Sequence, residues 1–414
     1  MPATPNYETA RSDAKFGWSV SGTQGALREL TGVPIRAFNL DTEVCIEAYR
    51  RGRPLLREMF GDDVGLPGVS TPAVSYGHPN TLGAELVFPE GGEVGVRPLY
   101  GSLTEGIEAL KRPMDFLSQG MAPFFLDFRE KLREALPGEA VGLSFGAEGP
   151  ITTAYELRGQ EFYMDVVDDP PLAIRFLKAA VDSVHRYHEA LCALDGRPAV
   201  NPNSGGMCDD CASFIPPRLW PEVVLPAWER YYLGMTTGRR SAHVESLNVE
   251  HLPFLEDIGL CHFDPSISPR LTPPIIASHC RVPFLWRLGS FHYSEMSVQE
   301  VEDFVYQSAA DCASSVCSYV AEGMCNDAGV AKVHAFIRAG KEATRLVAEG
   351  CTREELGQRV SAAGRAKLWE GWCGYLSPES TRGGKQRTSA AEGPNGSSCQ
   401  PSWQGAQHRP KRNR

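Results

Sequence analysis

The chain has 414 residues, 42% of them hydrophobic and 22% charged, and 41 Lys and Arg stand against 51 Asp and Glu for a net charge of −10. That composition excludes a disordered, collagen-like or disulfide-framework protein, and the acidic balance argues against nucleic acid or a membrane surface as partner. The opening stretch lacks an apolar core behind a basic start, and no run approaches about 18 apolar residues. The expectation is a cytoplasmic protein whose 12 cysteines are reduced thiols, some of them available to a metal.

Residues 1–67 read as an N-terminal helical extension. Strands are expected at 68–76 (GVSTPAVSY) and 140–145 (AVGLSF). Residues 170–194 carry Leu172, Ile174, Phe176, Leu177, Ala180, Val181 and Val184 at helical spacing, with Asp168 or Asp169 as the cap ahead of a proline pair. Further strands are expected at 199–201, 241–247, 260–264, 274–278, 284–288 and 315–321. Helices fit between several of them, at 218–232, 252–257, 298–313 and 328–347. Repeated strand–helix units imply a parallel sheet. About eight strands over roughly 280 residues favour a closed α/β barrel, a (β/α)8 TIM barrel spanning 68–360, over an open sheet. No G-x-G-x-x-G or P-loop supports the open nucleotide-binding alternative. Residues 361–414 form a low-complexity tail, expected to be disordered. Its part from 381 onward has seven basic residues against one acid, Glu392, which leaves −16 on residues 1–380.

In such a barrel, chemistry sits where strands end and loops begin. His243 and Glu245 in SAHVESL lie two apart, on one face of an expected strand, as two metal ligands, an acid/base pair or a satisfied core histidine. Cys325 falls at the junction of a strand and the next helix, where a thiolate is favoured; its alternative is a small buried apolar side chain. Together His243, Glu245 and Cys325 would make a three-ligand zinc site with an open position. Asp209 and Asp210, between Cys208 and Cys211, are candidate catalytic carboxylates that position a cationic or hydroxylated substrate, or else helix caps. The Cys208–Cys211 spacing suits zinc or a redox dithiol, but no second pair accompanies it. His262, Asp264 and His279 end likely strand segments and are candidates to complete or replace part of the metal site, or polar rim residues. His78, closing the first strand, is a candidate cofactor contact; His185 and His188 read as structural.

Several stretches carry a family resemblance. GLSFGAEGPITTAYELRGQEFYMDVVDDPP resembles the Gly-Pro, Thr-rich helix and Asp-Asp-Pro region of the uroporphyrinogen decarboxylase superfamily. DDCASFIPPRLWPEVVLPAWERYY, SAHVESLNVEHLPFLEDIGL and MSVQEVEDFV resemble its Asp-containing loop, the next strand and helix, and a late helix. The likeness runs from about Ser70 to Gly350 and implies a TIM barrel. The decarboxylase branch is cofactor-free and clamps its substrate's carboxylates with an Arg-Gln-Ala-Gly-Arg segment, where this chain reads GVSTPAVSYGHPNTLGAELVF. Without that clamp, an eight-carboxylate substrate suits a body of −16 poorly. The cobamide-dependent methyltransferase branch holds zinc by H-x-C and a Cys about eighty residues on. His243 matches the His, Glu245 stands at the first Cys, and Cys325 follows His243 by 82 positions. The resemblance thus implies zinc, a corrinoid carried by a partner protein, and methyl transfer to a small acceptor such as a thiol, with Glu245 making the site harder. The alternatives are a porphyrinogen-type decarboxylase using Asp209 or Asp210, and a non-catalytic barrel that docks a corrinoid protein.

Overall fold

The structure, a computed structural model, describes residues 5–369. The expected disordered tail lies outside the described residues, except for 361–369, which contain a short helix, Ala362–Lys367.

The fold is mixed α/β. Its strands are β1 (Gly17–Gly22), β2 (Leu86–Val87), β3 (Gly95–Val96), β4 (Ser204–Cys208), β5 (Arg239–His243), β6 (Leu260–Asp264), β7 (Leu285–Leu288) and β8 (Ser315–Val320). Two parallel three-stranded sheets, in the orders β1-β8-β7 and β4-β5-β6, carry the architecture, and β2 and β3 form a small antiparallel pair. Isolated parallel bridges link the parts. Phe263 pairs with Phe284 between β6 and β7, Ser21 with Gly65, Ser70 with Gly142, and Val74 with Phe145. Gly149 N–H then donates to Cys208 O at 2.6 Å. The segments expected as strands at 68–76 and 140–145 are therefore extended chain held by single bridges. Buried Val20, Met207, Ala242, Phe263, Trp286 and Val316 carry one core across the strands and the surrounding helices.

The long helix forms where its sequence dictates. Asp169 accepts from Leu172 N at 3.0 Å, prolines occupy the first turn, and the stripe containing Phe176, Leu177, Val181 and Val184 is buried over Pro170–Leu194. The helices Val298–Ala310 and Asp327–Ala348 likewise stand where the apolar spacing puts them, capped by Ser297 and Asn326.

Other expectations are corrected. Residues 274–278 form part of a helix, Pro273–His279: the proline pair fits a first helical turn but would remove a ladder donor from a strand, and this outweighs Ile275 and Ile276. The strand expected at 199–201 begins at Ser204, with Asn201 making only a bridge to Thr236. β5 stops at His243, so Glu245 lies in the following loop, where Ser246 adopts φ 59°. The helix expected at 218–232 starts with a 3-10 turn and a π turn and becomes α-helical at Leu225. Residues 1–67 are not only helical: β1 pairs with β8 along its whole length, from Gly17↔Ser315 to Gly22↔Val320. Among the described residues, no helix is long and apolar enough to cross a membrane.

Candidate metal centre

Parallel register sets Cys208, His243 and Asp264 side by side as the last residues of β4, β5 and β6. His243 sits between acids on both of its nitrogens. Nδ1 lies 2.9 Å from Asp264 Oδ2. Nε2 is buried without a hydrogen-bond partner and faces Asp210 Oδ1 at 3.7 Å and Glu245 Oε1 at 3.8 Å. The backbone N–H of Glu245 donates to Asp210 Oδ1 at 2.9 Å, which fixes that carboxylate beneath the loop. Asp210 Oδ2 is 3.8 Å from Cys208 Sγ. On the far side, Arg287 from β7 donates to Asp264 Oδ2 (3.3 Å) and to Ser266 Oγ (3.1 Å), and Ser266 N–H donates to Asp264 Oδ1 (2.8 Å).

The charges follow from this placement. Burial disfavours the imidazolium of His243, but Asp264 and Asp210 outweigh it and hold the group well above its ordinary value. Burial also pushes Asp264 up, yet the His243 charge and hydrogen bond and the Arg287 guanidinium hold it well below the usual carboxylate range. Asp210 goes the other way: burial raises it, His243 opposes, and Glu245 adds repulsion. Glu93, between β2 and β3, is pushed up to about 7 by burial and then by the charge of Glu245, so that hairpin stands within electrostatic reach of the cluster.

This donor set fits a metal ion. One ligand atom from each of Cys208, Asp210 and His243 lies within 4.8 Å of the others. Bonds of about 2.0–2.3 Å in a tetrahedron set ligand–ligand edges of roughly 3.3–3.8 Å. The contacts of His243 Nε2 with Asp210 Oδ1 (3.7 Å) and Glu245 Oε1 (3.8 Å) approach those edges, while Cys208 Sγ meets the other Asp210 oxygen, Oδ2, at 3.8 Å. The Asp264 bond to Nδ1 is the outer contact by which a carboxylate orients a metal-ligating histidine.

The other candidates fall elsewhere. Asp209 is fully buried with its oxygens taken: it accepts from Ile151 N (3.3 Å), Thr152 N (2.7 Å) and Trp228 Nε1 (2.6 Å), tying β4 to the start of the helix Pro150–Arg158. Burial pushes its carboxyl up to about 6 against those bonds. Cys325 is not among the three grouped residues. Its Sγ is 4.0 Å from Ala26 O, and burial followed by Glu29 pushes its thiol up. His78 is fully buried, with Nε2 at 2.9 Å from Ser183 Oγ and its ring beside Phe116 and Tyr187. His279 is exposed beside Ser278, while His185 and His188 bond the carbonyls of Tyr231 and Ala199. Sequence reading passed over Arg287 altogether. Its signal was a charged residue inside the apolar strand run LWRL, but its partner Asp264 lies on the neighbouring strand, 23 positions away, and no local spacing marks it.

No family model and no curated protein matches this chain. Among solved structures it is similar to a methyltransferase from Methanosarcina mazei, with a TM-score of 0.57 and 18% identity, over 81% of this chain and 96% of that one. At that identity the likeness establishes the fold, a mixed α/β architecture of parallel strands and many helices.

Proposed function

We propose that this chain is a zinc-dependent methyltransferase of the uroporphyrinogen decarboxylase superfamily, moving a methyl group between a corrinoid carried by a partner protein and a small acceptor such as a thiol. The parallel bridges from β1 through residues 65–74 to 142–145 and from β6 to β7, with the Gly149 N–H bond to Cys208 O at the end of β4, support a closed (β/α)8 barrel for it. One observation carries the reading: His243, held at Nδ1 by Asp264, presents an unpartnered, buried Nε2 to Asp210 and its neighbour Cys208. His243, Asp210 and Cys208 would hold the ion, with Glu245 next to them, so Cys208 takes the place first expected for Cys325. Zinc, when bound, would lower the pKa of an acceptor thiol and keep it as thiolate. Transfer would form the sulfur–methyl bond and break the carbon–cobalt bond, whose electron pair would remain with the corrinoid.

The cofactor-free decarboxylase is the second reading. Among the described residues of the cluster, the His243 and Arg287 cations are both already paired with Asp264, so neither stands ready to clamp a substrate's carboxylates.

The test is elemental analysis of the purified full chain after zinc supplementation. About one zinc per chain is expected, lost in His243→Ala and in Cys208→Ala and retained in Cys325→Ala. Loss of the carbon–cobalt absorbance of methylcobalamin in the presence of a thiol then reads transfer. A wild-type chain without zinc, or full zinc in His243→Ala, would overturn the metal centre. Zinc without transfer to any thiol would favour a barrel that docks a corrinoid protein without chemistry of its own.

A further inference from the structure

We propose that Arg287 is the positioning residue of this centre: it locks the Asp264 carboxylate and so fixes the ring of His243 with Nε2 turned to Asp210. The inference rests on reading the cluster as a metal centre, and it concerns what orients the ligand.

A guanidinium inside a strand is costly to bury, and Arg287 is 3% exposed between Trp286 and Leu288. Its surroundings answer that cost from two neighbouring strands. Nη2 donates to Asp264 Oδ2 at 3.3 Å, the same oxygen that takes His243 Nδ1 at 2.9 Å. Nη1 donates to Ser266 Oγ at 3.1 Å, and Ser266 in turn donates its N–H to Asp264 Oδ1 at 2.8 Å. From β8, the Tyr319 ring lies 5.0 Å from the guanidinium carbon. Four consecutive strands thus contribute one residue each to a continuous chain of side-chain contacts, His243, Asp264, Arg287 and Tyr319. Both oxygens of Asp264 are held, so the carboxylate has no free rotation with which to release the imidazole. A lysine carries the charge but not the fork, and reaches one of the two acceptors at a time.

The experiment uses the full chain with Arg287→Met and Arg287→Lys. In metal-free protein labelled with 15N-histidine, the His243 Nδ1–H, identified by its loss in His243→Gln, is expected as a slowly exchanging resonance. Arg287→Met should broaden or abolish it, and Arg287→Lys should restore it in part. Zinc affinity, read by competition with a chromophoric chelator, should fall about 10- to 100-fold in Arg287→Met, the usual cost of an outer-shell partner, and less in Arg287→Lys. If Arg287→Met does not fold, Arg287→Lys decides alone, with a weakened resonance expected. An unchanged resonance together with affinity within about twofold of wild type, in the folded variant, would overturn the proposal. A resonance lost in the variant of a protein that binds no zinc would sustain Arg287 as the positioning residue and remove the metal centre instead.

Discussion

Burial sorts the histidines of this chain into different tasks. His243 is buried among acids that favour its charge, whereas His78 is buried among rings and one hydroxyl and is pushed down to about 3 by desolvation, with Arg186 adding to it. The consequence for His78 is a stability term with a definite sign. Its folded pKa lies below the unfolded value of about 6.5, so the fold favours the neutral ring. The contribution is complete above pH 6.5 and is lost as pH falls towards 3, at up to about 1.4 kcal/mol per pH unit. Denaturant unfolding at pH 7 and pH 5 should show this loss in the wild type, reduced by about 2 kcal/mol in His78→Gln; an identical loss in both proteins would refute it. Read from sequence, His78 closed a strand and faced a cofactor. Its hydroxyl partner, Ser183, lies 105 positions away on the long helix, and no local spacing announces such a contact. His243 was legible as a candidate because its neighbour Glu245 is close in the chain. Cys208 and Asp264 needed the cross-strand register to join it.

At the scale of elements, long amphipathic helices with side-chain caps were readable, and so were the strands expected at 260–264, 284–288 and 315–321, whereas the pairing of 68–76 and 140–145 was not. Phe176 and Leu177 announce Pro170–Leu194 from their own spacing, while Ser70 and Val74 are paired by single bridges that leave no periodic pattern. The approach of one element to another was equally hidden. Gly149 has an ordinary helical-entry φ of −67°, so what it supplies is space: a Cβ there would lie 2.5 Å from Asp209 Cβ and 2.8 Å from Cys208 O. Gly149→Ala must therefore push away the end of β4 that carries Cys208, Asp209 and Asp210. The expected cost is about 1–3 kcal/mol of stability, together with reduced zinc content. Gly340→Ala is the control, since its Cβ would meet Trp18 Cβ at 2.9 Å, where the last long helix crosses β1. It should lose comparable stability and keep its zinc. Melting curves and zinc stoichiometry on the two variants check this, and equal zinc loss in both would mean that β4 has no special link to the centre.

Across the whole molecule, the charge asymmetry between the body and residues 381–414 was plain in the sequence, but the pairing of β1 near the chain's beginning with β8 was not. Residues near the N-terminus hold partners far along the chain: Thr23 Oγ1 donates to Val320 O, 297 positions on. Tyr7 OH donates to Leu260 O at 2.9 Å, and Arg11 reaches the carbonyls of Ala277, Cys280 and Val282 beside β7. A segment that pairs all of β8 and bonds the chain around β6 and β7 is part of the folding unit, since its removal leaves a ladder of backbone groups without partners. Deletion of residues 1–22 should therefore abolish the cooperative thermal transition and the near-ultraviolet circular dichroism of the whole chain. Deletion of residues 370–414 should leave the transition within a few degrees, because it retains Trp369, which packs against Trp286 and Phe304 and donates to Asp311. The two truncations measured side by side decide whether the first 67 residues are an appendage or a structural closure. Native dichroism in the first truncation would make them an appendage. Its loss there, with retention in the second, would place the closing strand of the fold at Gly17–Gly22.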